Sequence, residues 1–127
     1  MNKILRMLML SAVVFATFSG GASADPSHKW RLVFDHWADN DGELVLRIAP
    51  EGGTPIDVST QIKKNTTENS AAHLVRTALK AKLGKGYKVE IDDGEDVLIK
   101  AKGKTPKFEV SVASSTVTGL NLNVKHD

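Results

Sequence analysis

An α+β domain, two-layered, with one helix packed on a mostly antiparallel sheet of six or seven strands, is the fold class this sequence predicts. Three observations lead there. One segment, Asn65 to Gly84, places Ala71, Leu74, Val75, Ala78, Leu79 and Leu83 at three- and four-residue steps, which aligns them on one helix face. Before and after it, apolar and polar residues alternate with a period of two, as half-buried strands require. Acidic turns containing glycine, Asp39-Asn40-Asp41-Gly42 and Asp92-Asp93-Gly94-Glu95, punctuate those runs.

The chain opens differently. Lys3 and Arg6 are followed by an apolar run from Met7 to Phe18 and then by Ala22-Ser23-Ala24, the n-region, h-region and A-x-A site of a bacterial secretory signal peptide. Residues 1–24 are therefore expected to be a cleavable leader, with residues 25–127 forming a single α+β domain that is periplasmic or secreted. The apolar run is shorter than the roughly 20 residues of a membrane span, so no integral membrane segment is expected after cleavage. The sequence has no cysteine, which excludes a disulfide framework and a lipidated amino terminus.

Taking Lys3 and Arg6 away from 17 basic residues leaves 15 against 15 acidic ones, so the mature chain is neutral. A basic overall charge thus gives no argument for nucleic acid. The charges are nevertheless uneven: residues 25–60 carry 3 basic and 7 acidic side chains, residues 61–127 carry 12 and 8. Such a division orients partners or favours head-to-tail association.

Trp30, Leu32, Phe34 and His36 alternate with Arg31, Val33, Asp35 and Trp37, and after the first acidic turn Leu44, Leu46 and Ile48 share one face. Residues 30–49 accordingly read as a β-hairpin. Pro50 to Pro55 breaks it, and Ile56, Val58 and Ile62 form a short third strand. Asn65 is placed to cap the helix with Glu68 three residues on, Lys80 and Lys82 complement its dipole, and Gly84 ends it. Tyr87, Val89 and Ile91 pair through an Asp-Gly turn with Val97, Ile99 and Ala101. Phe108, Val110 and Val112 form the next strand, Ser114 and Ser115 mark a turn or bulge, and Leu120, Leu122 and Val124 form the last.

Motifs for catalysis are missing from the sequence. There is no G-x-S-x-G elbow, and His28, His36, His73 and His126 lack metal-ligand spacing. Aligning Gly42 with the glycine of a calcium loop puts Trp37 and Ile48 where carboxylates belong, which excludes an EF-hand. No metal site and no cofactor are expected. Asn65-Thr66-Thr67 matches a glycosylation sequon but reads as a helix start.

Two surfaces remain as candidates. Arg31, Val33, Trp37, Val45 and Arg47 share the phase opposite to the core and are the expected binding face of the sheet, since aromatic residues and arginine are favoured at interfaces. Lys100, Lys102 and Lys104 form a basic row within a window holding eight lysines, Lys80 to Lys107. That row reads first as a guarded strand edge and second as a contact for phosphate, anionic lipid or an acidic protein. No aromatic residue interleaves with it, so nucleic acid is not an expected partner.

The stretches Thr54-Pro55-Ile56-Asp57-Val58, Asn69-Ser70-Ala71-Ala72 and Tyr87 to Ala101 give residues 53–112 a strand-helix-hairpin order that resembles modules of phage tail-like structural proteins. The resemblance implies a structural or assembly role and carries no catalytic residues. From the residues themselves the expected function is a small non-catalytic protein-binding module, acting through a sheet face or edge on a protein partner or a second copy. The alternatives are an inhibitor presenting an acidic hairpin turn to an extracellular or periplasmic hydrolase, and a small hydrolase using His36 or His73 with a nearby carboxylate.

Overall fold

The computed structural model describes residues 25–126; the expected leader and Asp127 lie outside the described residues. The strands are β1 (Lys29–Asp35), β2 (Gly42–Pro50), β3 (Ile56–Ile62), β4 (Tyr87–Asp92), β5 (Asp96–Ala101), β6 (Phe108–Ser115) and β7 (Asn121–His126). Between β3 and β4 run the helix α1 (Glu68–Leu83) and a 3-10 turn (Gly84–Gly86). Among the described residues, seven strands and one helix agree with the α+β expectation. The strands form two sheets rather than one, in the orders β4-β5-β1-β7 and β3-β2-β6, with every pairing antiparallel.

The expected β1–β2 hairpin does not form. His36 adopts φ 68°, ending β1, and the 38–42 turn carries the chain across to the other sheet. Alternation in β1 and β2 reports which side is buried, and it reads the same whether the facing layer is a helix or a second sheet. Here the layer facing Trp30, Leu32 and Phe34 includes Leu44, Leu46 and Ile48, and all six belong to one buried cluster with Val58, Ile99, Phe108 and Val110. The two hairpins that do form are β2–β3 and β4–β5. Asp93 and Gly94 both take positive φ, 53° and 81°, as the Asp-Gly turn demands. The serine pair lies at the end of β6, and a register shift falls just before it, opposite Val45 and Leu46.

The helix packs against β3 and β4, and beneath them β1 and β5. Its buried residues are Ala71, Ala72, Val75 and Leu79, while Leu74, assigned to the same stripe by spacing, is exposed. Small residues at 71 and 72 let the backbone approach the sheets and move the buried stripe off Leu74. The cap is also displaced from Asn65. Thr67 accepts a hydrogen bond from the Ser70 amide at 3.3 Å, and Asn65, at φ 74°, instead turns the chain out of β3. The Asn65 amide donates to the Ala38 carbonyl and the Ala38 amide to the Thr66 carbonyl, so the turn after β1 is stitched to the entry of α1.

Tyr87 stands edge-on to Phe108 at 5.2 Å between ring centroids, and burial pushes its phenol above the ordinary value. The neutral phenol is favoured in the folded chain, so this contribution is intact below about pH 10. It is lost as pH rises from there through the folded value. Tyr87→Phe should flatten the alkaline limb of stability against pH and leave the neutral region nearly unchanged. Urea midpoints at pH 8 to 11 measure this.

Among the described residues, every buried core residue lies between Trp30 and Val110, and every element lies within residues 29–126.

Candidate binding surface

The helix closes one side of the sandwich, where β3 and β4 are the margins. On the other side the margins are β7 and β6, and no strand pairs with their outer edges among the described residues. A cleft of about 250 Å³ opens between them. Phe34 and Leu44 form its floor, Val112 and Leu122 its lips, and Val117 and Leu120 the connection that closes one end. At the far end the Trp30 indole donates to the Phe108 carbonyl at 2.7 Å and its ring meets His126 at 4.7 Å.

Sequence reasoning put Val112, Leu120, Leu122 and Val124 in the core, and their phase is correct. Yet Val112 is 37% exposed, and Leu120, Leu122 and Val124 are only partly buried. Phase shows which way a side chain points; exposure at a margin depends on whether another element covers it, and no local signal carries that. The 116–120 connection is held in place by the 38–42 turn. Asn40 Oδ1 accepts from the Thr118 amide, Thr116 Oγ1 accepts from the Glu43 amide, and a Cβ on Gly119 would stand 2.5 Å from the Asp39 carboxylate.

The expected binding face does not assemble on one surface. Arg31 and Val33 lie on the outer side of the four-stranded sheet, Val45 and Arg47 on the outer side of the three-stranded one, so the two pairs look away from each other. Trp37 leaves both sheets because His36 breaks the phase. It bridges to Thr67 beside the start of α1, 58% exposed. The two arginines are engaged locally. Arg31 Nη1 reaches Asp92 at 3.0 Å and Asp96 at 2.5 Å, and hydrogen bonds to Asp96 first and Asp92 second hold its guanidinium above the ordinary value. Arg47 pairs bidentately with Asp57 at 2.8 and 2.9 Å, which draws the Asp57 carboxyl below its usual range.

The basic row is corrected as well. β5 lies between β4 and β1 and is not an edge, so lysine there does not guard one. Lys100 faces Glu90 across the β4–β5 pair at 2.9 Å, while Lys102 and Lys104 lie beyond the strand's last residue. Asp92, Asp93 and Asp96 approach one another closely enough to hold a cation, but two of the three already serve Arg31. That also leaves only Asp93 and Glu95 on the 92–96 turn to face a partner. The groove beside α1 gathers Ser70, His73 and Thr77 with Lys64 and Asn69, and no carboxylate lines it. His36 has Asp35 at 3.7 Å, with both side chains in solvent. No helix among the described residues is long and apolar enough to cross a membrane.

No protein-family model matches the chain, and no curated protein matches it either.

Proposed function

We propose that the protein is a secreted or periplasmic, non-catalytic interaction module that associates through the β7 margin of the open side, its partner being a second copy of the chain. The observation that carries this reading is an uncovered strand margin lined by half-exposed core residues, Val112, Leu122 and Val124, where a natural edge is normally guarded. β7 contains no proline, and its one lysine lies near its end.

The order of residues in β7 suits pairing with itself. About a two-fold axis at Asn123, an antiparallel β7 sets Leu122 opposite Val124 and Asn121 opposite Lys125, each twice over. Apolar side chains then meet apolar ones and no like charges face, the arrangement in which cross-strand pairs stabilise a sheet. The basic, apolar and small-residue start of the chain supports the compartment. The resemblance of residues 53–112 to modules of tail-like assemblies leans toward a structural role.

Sedimentation equilibrium of residues 25–127 tests this. The parent chain should dimerise, and Asn123→Lys should weaken association at least about tenfold, because it sets two ammonium groups face to face on the axis. Asn123 is exposed, so the fold should survive. A chain that stays monomeric at the highest soluble concentration, or a variant that dimerises as tightly as its parent, would sink the proposal. Capture of an extended peptide by a strictly monomeric chain would reassign the margin to a foreign strand.

A further inference from the structure

The eight lysines between positions 80 and 107 come from α1, the 3-10 turn, β4, β5 and the 102–107 connection, and the topology brings these five segments to one end of the molecule. The helix finishes there, β4 begins there and β5 ends there; Lys88 lies directly opposite Lys100, which lies opposite Lys29 on β1. The 102–107 connection is tied to the same place, since the Lys102 amide donates to the Gly86 carbonyl at 2.9 Å and Thr105 borders Gly86. β7 ends alongside, with Lys125 opposite Arg31. Like charges opposite one another weaken a sheet, so the Lys88-Lys100-Lys29 row works against stability.

Fewer acidic residues than lysines share this end: Glu51, whose amide donates to the Lys107 carbonyl, Glu109 next to Phe108, and Glu90. Glu90 is held by Lys100 at 2.9 Å and lies 4.0 Å from Lys88. Lys85, Lys102, Lys104, Lys107 and Lys125 are exposed and form no ion pair among the described residues. The acidic groups of the opposite end contrast with this, because Asp92 and Asp96 are taken by Arg31 and Asp41 by the Lys64 amide. Gly84 and Gly103 lie among these lysines, with nothing within 4 Å of where a Cβ would stand at either. The nearby aromatic rings, Tyr87 and Phe108, pack on each other and offer no stacking platform to bases.

We infer that this lysine-rich end docks electrostatically on a bilayer surface rich in anionic phospholipid. Ammonium groups on long stems, supplied by several elements and spread over one end of the molecule, suit a plane of phosphates better than a single bound ion. Binding of this kind is reversible and falls as salt screens it. It does not depend on the β7 association, with which it shares only Lys125.

Co-sedimentation of residues 25–127 with vesicles tests the inference. The chain should bind phosphatidylcholine vesicles that contain phosphatidylglycerol, should not bind pure phosphatidylcholine vesicles, and should be released by high salt. Lys85→Gln, Lys102→Gln and Lys104→Gln together should weaken binding about a hundredfold, roughly fivefold for each lysine removed. Lys63→Gln with Lys64→Gln, at the other end, should leave binding as it was. Equal binding to both vesicle types, or a triple variant that binds like its parent, would overturn the inference. Release by inorganic phosphate beyond that by chloride of equal ionic strength would point to a phosphate site instead. Binding to polyglutamate without binding to vesicles would assign the end to an acidic protein.

Discussion

Trp30→Ala should lower the stability of the folded chain by about 3–5 kcal/mol, the range for truncating a large buried aromatic. Trp30 is 2% exposed and stands where the two sheets meet. Its indole fills the space between β1 and β6, and its Nε1 donates to the Phe108 carbonyl at 2.7 Å. Alanine leaves a cavity and removes one of two donors to the Phe108 carbonyl, the other being the Ser27 amide. Trp30→Phe separates the two effects, because it keeps most of the volume and loses the indole donor. Its cost should be about 0.5–1.5 kcal/mol, the net worth of one hydrogen bond, since the Ser27 amide still donates to the Phe108 carbonyl at 2.9 Å. Urea denaturation followed by far-ultraviolet circular dichroism measures both variants. A loss under about 1 kcal/mol for the alanine variant would mean that the sheets do not depend on this contact.

Arg31→Met should cost about 2 kcal/mol at neutral pH, less than the roughly 3–5 of a fully enclosed pair because Arg31 and Asp92 are partly in water. Asp96 is only 7% exposed and lies beside Asp92, so without the guanidinium one carboxylate is left buried next to another. Methionine keeps the stem that covers Leu98, which is buried on the outer face of this sheet. Salt screens charges that are partly in water, so high salt should narrow the gap between variant and parent. A gap that salt leaves unchanged would show that Arg31 acts through packing and not through its charge.

Part of the candidate site was legible in the residues. The Lys80–Lys107 window was visible as a cluster, and its gathering at one end follows from two hairpins and a helix running back and forth over a short length. The binding face was not legible. Arg31 and Arg47 share a phase, and phase is all that a sequence of alternating residues reveals. Whether two strands of equal phase lie in one sheet or in two facing sheets depends on the turn between them. That turn is set by His36 in a left-handed conformation and by Asn40 gripping the 116–118 segment. Neither interaction has a local signature, because histidine seldom adopts such an angle and Asn40 acts across 78 positions.

Local rules settled the helix and its glycine stop, the Asp-Gly hairpin and the inward phase of the strands other than β5, whose Leu98 is buried on the outer face, because each depends on neighbours within a few residues. The partner of each strand, the second sheet, the uncovered β6 and β7 margins and the convergence of lysines were decided by tertiary structure. The physical reason is that burial rewards an alternating strand equally against any apolar layer. The choice among layers falls to connections and distant hydrogen bonds, which no stretch of this chain states on its own.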